Sequence, residues 1–351
     1  MHNERERIND IDRQVADLLQ VRAALAQQIG AIKADAGKPA WDPAREAEVL
    51  RQITETPGPL GRPELRRVFT EIISACRALE QPLRVAYLGP EQTFSHLAAQ
   101  RKFGAHTTFL PAPSIPDIFR LVESGQADTG VVPVENSTGG VIPETLDALL
   151  DTGLKICAEA HLPVHLSLLA SAPLDEIQTL YSIPPPLAQC RQWLREHLPS
   201  VEVKLVSSTG VAAQEAAADP TGAALAPEEA GIALGIPVLA TNIEDLPGNR
   251  TRFFVIACAE SRPTGRDKTS VVFSTAHKAG ALLEAIGALS RHGLNLTLIQ
   301  SRPLRGQTWQ YVFFVDFEGH QEDEKAKAAL AELQEHCALL KVLGSYPAEP
   351  E

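Results

Sequence analysis

Apolar residues at Ile8, Ile11, Val15, Leu18, Leu25, Ile29 and Ile32 recur every three or four positions along a recurring seam, a heptad-like pattern that predicts one long amphipathic helix. Position 22 continues this seam between Leu18 and Leu25, and it holds Arg22. A guanidinium on a buried stripe is costly unless an anionic group meets it there. Two readings satisfy the pattern: a ligand contact, or an arginine that snorkels outward or pairs with an acid on a neighbouring helix. Lys33 follows Arg22 by eleven residues, which returns it to within about 20° of the same face. Arg5 precedes Arg22 by seventeen residues, roughly 25 Å along the axis and about 100° around it. One straight helix therefore cannot bring Arg5 and Arg22 to one small ligand. If both serve one site, Arg5 comes from a second copy and the unit is a dimer. A second helix is expected after "WDP", with Asp42 as N-cap, Pro43 at the first helical position, and Arg45 and Glu46 in the first turn. The stretch "PELRRVFTEIISACRALE" predicts a third helix, and Pro82 marks a boundary.

From Leu83 the pattern changes to alternating strands and helices. "RVAYLGP" reads as a strand with a Gly-Pro turn, "TFSHLAAQRKFG" and "DIFRLVESG" as helices, and "DTGVVPVENSTGG" as a strand entering a polar loop. Further strands are expected near "KICAEAHLPVHLSLLAS", "VEVKLVSS", "GAALAP" and "RFFVIA". Such alternation predicts a mostly parallel sheet with sites at strand ends. Polar clusters fall at those ends: Thr93 and Ser95, Glu135-Asn136-Ser137, Ser207-Ser208-Thr209, and Thr251 in "PGNRTRFFVI". Each alone also reads as a helix cap or a turn. From Lys268 the order becomes β-α-β-β-α-β, the split ferredoxin-like plan, with one strand expected within "TWQYVFFVDFEG".

Composition narrows the function classes. A chain of 351 residues suggests more than one domain. The formal net charge of -12 argues against a nucleic-acid surface, which needs a basic face. Cys76, Cys157, Cys190, Cys258 and Cys337 are scattered without a C-x-x-C pair, a pattern of a reducing compartment. The opening "MHNERERIND" is charged and unlike a signal peptide, and no uncharged apolar run reaches spanning length, so a cytoplasmic location is expected. His161 and His165 lie four apart in strand-like surroundings, roughly 13 Å apart along a strand, too far for one metal ion. With no P-loop and no complete G-x-G-x-x-G, neither a metal nor a nucleotide cofactor is expected.

The first segment resembles the AroQ-type chorismate mutases, all-helical intertwined dimers. The family's binding set falls on Arg5, Arg22, Lys33, Asp42, Arg45 and Glu46, with two further positions on Cys76 and Glu80, where some members carry Ser and Gln. The second segment resembles prephenate dehydratase through "GPEQTFSHLAA", "VVPVENSTGG" followed by "TLD", "YS" with "QC" downstream, and "IEDLPGNRTRF". That resemblance implies two α/β lobes around a cleft, similar to periplasmic binding proteins, with Thr251 as the leading candidate for the catalytic acid. It also implies Asn136, Ser182 and Gln189 as substrate contacts, Glu135 and Ser137 beside them, Arg252 as a partner for a substrate carboxylate, and Phe253 completing the Thr-Arg-Phe motif. The last segment resembles an ACT domain that senses phenylalanine, with matching elements Gly280-Ala281-Leu282-Leu283 and Gln300-Ser301-Arg302-Pro303.

The expected architecture is thus multidomain: an all-α dimer unit over 1–82, a two-lobed α/β domain over 83–262 and an α+β ferredoxin-like domain over 268–346. The expected ligands are chorismate, prephenate and phenylalanine, and the expected assembly is a homodimer or larger homo-oligomer. Ile183-Pro184-Pro185 stands where relatives commonly carry a polar pair, and Gln300 where Glu is common. Two other readings stay open at this point: a mutase with an impaired dehydratase cleft, and a non-enzymatic amino-acid sensor.

Overall fold

The computed structural model describes residues 2–37, 39–276, 278–303 and 311–349. Three helices come first: α1 (His2–Asp35), α2 (Pro43–Thr54) and α3 (Arg62–Glu80). Asp42 caps α2 by accepting from Arg45 N at 2.9 Å, and Pro43 opens it. Helix α1 packs against α3 yet buries only Ala26. The periodic seam stays bare, with Ile8, Ile11, Val15, Leu18, Leu25, Ile29 and Ile32 between 47% and 68% exposed. An apolar stripe of that length in water is a surface built for a partner.

The first lobe contains β1 (Arg84–Leu88), α4 (Phe94–Phe103), β2 (Thr108–Ala112), α5 (Ile115–Glu123), β3 (Thr129–Asn136), β4 (Gly140–Val141), α6 (Pro143–Asp151) and β5 (Lys155–Pro163). The chain then crosses to a second lobe: β6 (Ser167–Ala170), β7 (Thr179–Ser182), α7 (Pro184–Gln189), α8 (Arg191–His197), β8 (Glu202–Leu205), α9 (Thr209–Ala218), β9 (Gly222–Ala226), α10 (Glu228–Leu234) and β10 (Val238–Ala240). It returns through β11 (Arg250–Ala257). The sheets run β2-β1-β3-β11-β5, with β4 on β3, and β10-β6-β9-β7-β8. The mostly parallel sheet expected from the alternation needs correction, because both sheets are mixed. The returning β11 inserts antiparallel between β3 and β5, and β6 pairs antiparallel with both neighbours. This return strand is what places Thr251 beside the crossing between lobes.

The last domain holds β12 (Asp267–Thr275), α11 (Ala281–Arg291), β13 (Leu296–Pro303), β14 (Tyr311–Glu318), α12 (Glu324–Glu335) and β15 (Cys337–Pro347), in sheet order β13-β14-β12-β15. Residues 308–310 of the strand expected in "TWQYVFFVDFEG" lie outside the described residues. This sheet lays one face on the first lobe, where Val272, Phe314, Leu343 and Tyr346 share a core with Val132, Leu146, Phe254 and Ile256. At Gly344 the backbones come so close that a Cβ would sit 2.1 Å from the Ile156 carbonyl oxygen. Lys341 Nζ donates to the carbonyls of Leu149, Leu150 and Thr152, satisfying the C-terminal end of α6.

The helical unit is also seated on the first lobe. Helix α3 buries Thr70, Ser74 and Arg77, a polar stripe at helical spacing. Gly104 ends α4 at a positive φ of 75°, and a Cβ there would lie 2.5 Å from Ser74 Cβ, so only glycine fits.

Candidate active sites

Two groups of side chains gather the residues singled out above. In the helical unit, Lys33 near the end of α1 and Glu80 at the end of α3 meet, with Nζ to Oε2 at 3.3 Å, and Lys33 also donates to the Ala40 carbonyl at 2.6 Å. Glu46 Oε2 accepts from Arg77 Nη1 at 2.9 Å and from Trp41 Nε1 at 3.2 Å. Cys76 is buried in α3 and Arg22 is half-buried on α1. Arg45 is exposed and leans 3.8 Å from Glu48. Arg5 is exposed at the far end of α1, in the same helix as Arg22. Arg77 and Trp41 escaped the sequence reading. The signal for Arg77 was the Thr70-Ser74-Arg77 stripe, a polar line at helical spacing along α3.

In the two-lobed domain a chain of hydrogen bonds joins the lobes. Asn136 Nδ2, at the end of β3, donates to Thr251 Oγ1 at 2.9 Å and to Asn249 Oδ1 at 2.8 Å. Asn249 Nδ2 donates to Gln189 Oε1 at 3.1 Å, and Gln189 Nε2 donates to Thr138 Oγ1 at 3.0 Å. Asn136 Oδ1 accepts from the backbone N–H groups of Thr138 and Gly139, at 3.0 and 2.8 Å, which fixes the amide. Ser137 holds the turn into β11 by accepting from Arg250 N at 3.0 Å. Among the described residues the Thr251 hydroxyl accepts but donates to no partner, so its proton is available. Asn249, only 3% exposed, links both sides; the sequence signal for it was a polar residue trapped between Gly248 and the buried strand.

A cavity of about 340 Å³ opens beside this chain, lined by Thr138, Gly139, Pro185, Ala188, Gln189 and Asn249, with Glu244, Asp245 and Leu246. Its two carboxylates are engaged: Glu244 with His165 Nδ1 at 2.9 Å and Leu166 N at 3.0 Å, Asp245 with the N-terminal amides of α8. Pro184 opens α7 at its first turn, where a missing N–H costs nothing, and the helix delivers Gln189 to Thr138. The apolar Ile183-Pro184-Pro185 segment therefore serves as the start of the helix that carries a network residue. Ser182 is buried and donates to the Ile183 carbonyl at 3.2 Å, outside the network. Glu135 is half-buried on β3 and makes no side-chain hydrogen bond among the described residues. Thr93 and Ser208 are helix N-caps, of α4 and α9.

Arg252 does not face this cleft, contrary to the role expected for it. Successive residues of a strand point to opposite sides, so with Thr251 at the cleft Arg252 enters the interface with the last domain. There it donates to Glu159 Oε2 at 2.8 Å, Asp316 Oδ2 at 2.6 Å and Tyr346 Oη at 3.0 Å. Lys268 Nζ meets the other Glu159 oxygen at 3.0 Å. Burial alone would raise the Glu159 pKa, but His161, Arg252 and Lys268 outweigh it and hold the carboxyl far below the usual carboxylate range. Phe253 is a core residue, 1% exposed, packed with Tyr87 and Phe103.

In the last domain Gly280 begins α11 in the left-handed region, Ala281 is buried, Leu282 is half-buried and Leu283 is 72% exposed. Gln300, Ser301, Arg302 and Pro303 lie on β13, an outer strand of the sheet. Arg302 binds Asp147 of α6 at 2.8 Å, tying this element to the first lobe. Among the described residues no three His, Cys, Asp or Glu side chains cluster to hold a metal ion, and no helix is long and apolar enough to cross a membrane.

Comparison with known proteins follows the same three segments. Residues 4–81 match the model of chorismate mutase type II, 85–261 that of prephenate dehydratase and 269–335 that of the ACT domain. The chain is 45% identical to the bifunctional chorismate mutase/prephenate dehydratase of Aquifex aeolicus (strain VF5), over 98% of this chain and 96% of that one. It is 44% identical to the protein of the same description from Stutzerimonas stutzeri, with the same 98% and 96% coverage. Among solved structures, the prephenate dehydratase from Arthrobacter aurescens in complex with L-Phe aligns with a TM-score of 0.71 at 34% identity, covering 77% of this chain and 92% of that one. With a mutase, a dehydratase and an ACT segment in that order, the chain belongs to the bifunctional chorismate mutase/prephenate dehydratase family.

Proposed function

We propose that the chain converts chorismate to prephenate in its helical unit and prephenate to phenylpyruvate in its cleft, with phenylalanine as a feedback inhibitor. The observation that carries the second activity is the hydrogen-bond chain from Thr251 through Asn136 and Asn249 to Gln189, which joins both lobes at the cavity. In the dehydratase reaction the ring-bearing carboxylate leaves as CO2, its electron pair enters the ring, and the ring hydroxyl departs with a proton as water. Aromatisation supplies the driving force, so the protein must orient the substrate and assist the leaving hydroxyl. Asn136 donates to Thr251 Oγ1 and leaves the threonine proton directed outward for that oxygen. Gln189 and Asn249 hold the lobes in register, with Ser137 and Glu135 beside them and Ser182 behind. Thr251→Ala is expected to lower dehydratase kcat by about 10²-fold or more with mutase activity near wild type. Unchanged phenylpyruvate formation by the variant would refute the role.

The mutase reaction is a unimolecular rearrangement of a dianion, so the site needs charge and shape, not a nucleophile or cofactor. Arg5, Arg22 and Arg45 suit the two carboxylates, Lys33 and Glu80 the breaking ether oxygen, and Glu46 and Asp42 the substrate hydroxyl end, with Cys76 in the wall. The bare seam of α1 supports a second copy as the source of Arg5. In the ACT domain the two elements at 280–283 and 300–303 are the proposed phenylalanine site, completed by a second copy across the free edge of β13. The boundaries at 1–82, 83–262 and 268–346 and a cytoplasmic location belong to the same proposal. The cysteines, all free and three of them buried, support the location.

A further inference from the structure

Glu46 is the mutase carboxylate most tightly held from behind, by Arg77 and Trp41 of its own helical unit, and these two in turn rest on the dehydratase domain. Its side chain is 10% exposed and that of Arg77 is 6% exposed. A buried ion pair is a poor source of stability, since desolvation consumes most of the Coulombic gain; its strength is to fix a geometry. Both donors, Arg77 Nη1 and Trp41 Nε1, converge on the same oxygen, Oε2. No hydrogen bond among the described residues engages Oε1. The carboxylate is therefore anchored through one oxygen and presents the other.

Both anchors rest on one residue of α4. Arg77 Nη2 donates to the Phe103 carbonyl at 2.7 Å and to Thr107 Oγ1 at 3.3 Å, and its guanidinium lies 5.7 Å from the Phe103 ring centroid. Trp41 meets the same ring edge-on, with centroids 5.1 Å apart. Phe103 is 1% exposed in the core of the first lobe. We infer that Arg77 and Trp41 are positioning residues for the mutase reaction, which aim Glu46 Oε1 at the substrate hydroxyl and take their own placement from Phe103 of the dehydratase domain. The inference rests on Glu46 contacting substrate as proposed above.

The test uses the full chain and follows mutase and dehydratase kcat/KM in parallel for Glu46→Ala, Arg77→Met, Trp41→Phe and the doubles that include Glu46→Ala. Arg77→Met is expected to lower mutase kcat/KM about 10- to 100-fold and Trp41→Phe about threefold, with dehydratase kcat/KM within about twofold of wild type. In the Glu46→Ala background both should have little further effect, because the carboxylate they aim is gone. Equal losses with and without Glu46 would overturn the inference, since a merely structural role is additive. Mutase activity unchanged in Glu46→Ala alone would remove Glu46 from the site, and the inference would fall with that reading. Trp41→Phe keeps an aromatic ring on Phe103, so its cycle decides the matter even where Arg77→Met does not fold.

Discussion

At the scale of single residues, neighbours on a strand carry opposite duties. Thr251 and Arg252 are adjacent, yet one meets Asn136 at the cleft and the other Asp316 of the ACT domain. The alternation of a strand was enough to separate them; reading the Thr-Arg-Phe motif as one functional unit obscured it. Asn249 was harder to see, because a polar residue in a Pro-Gly turn ordinarily belongs to the turn. Glu80 gives the sharpest prediction at this scale. In the proposed mutase site a Gln there would donate a hydrogen bond to the breaking ether oxygen, whereas a carboxylate repels the developing charge. Glu80→Gln is expected to raise mutase kcat/KM severalfold, because an amide donates where a carboxylate repels. Equal kcat/KM for the two proteins would place Glu80 outside the site.

At the scale of elements, periodicity made α1 and its seam legible, and the structure shows why that seam matters: among the described residues it stays exposed. The third helix was legible as a helix but not as an interface, because its buried stripe of Thr70, Ser74 and Arg77 is polar and packs on another domain. The antiparallel return of β11 was invisible to local pattern, since direction is decided by which lobe the chain has just left. The length of α1 leads to a complementation prediction. Arg5→Ala and Arg22→Ala are each expected to abolish mutase activity, and mixing the two under subunit exchange to restore part of it. Each mixed dimer then has one site with both arginines and one with neither. Heterodimers confirmed by mass but without recovered activity would contradict a shared site.

At the scale of the whole molecule, the three segments are not beads on a string. The ACT sheet shares a core with the first lobe, so deleting residues 268–351 would bare Val132, Phe254 and their neighbours as well as remove the proposed effector site. The Glu159 cluster offers a gentler probe of that interface. Its carboxyl is held below the ordinary value in the folded state, so its stabilisation is fully present above the unfolded-state pKa of about 4.3 and is lost as pH falls from there toward the folded value. Glu159→Gln is expected to lower the Tm clearly at neutral pH, with the gap to wild type narrowing as the pH is taken below about 4. A gap independent of pH would mean that the ion cluster does not stabilise the interface.

The account's central claim is that one chain carries both reactions in succession, and supplying purified protein with chorismate alone tests it most directly. Following chorismate, prephenate and phenylpyruvate in one progress curve, we expect prephenate to rise and then fall while phenylpyruvate accumulates to match the chorismate consumed. The same curve for Thr251→Ala should accumulate prephenate, with phenylpyruvate forming about 10²-fold more slowly or less. Wild-type protein that halts at prephenate would contradict a working dehydratase cleft, and protein that leaves chorismate untouched would contradict the account from its first step.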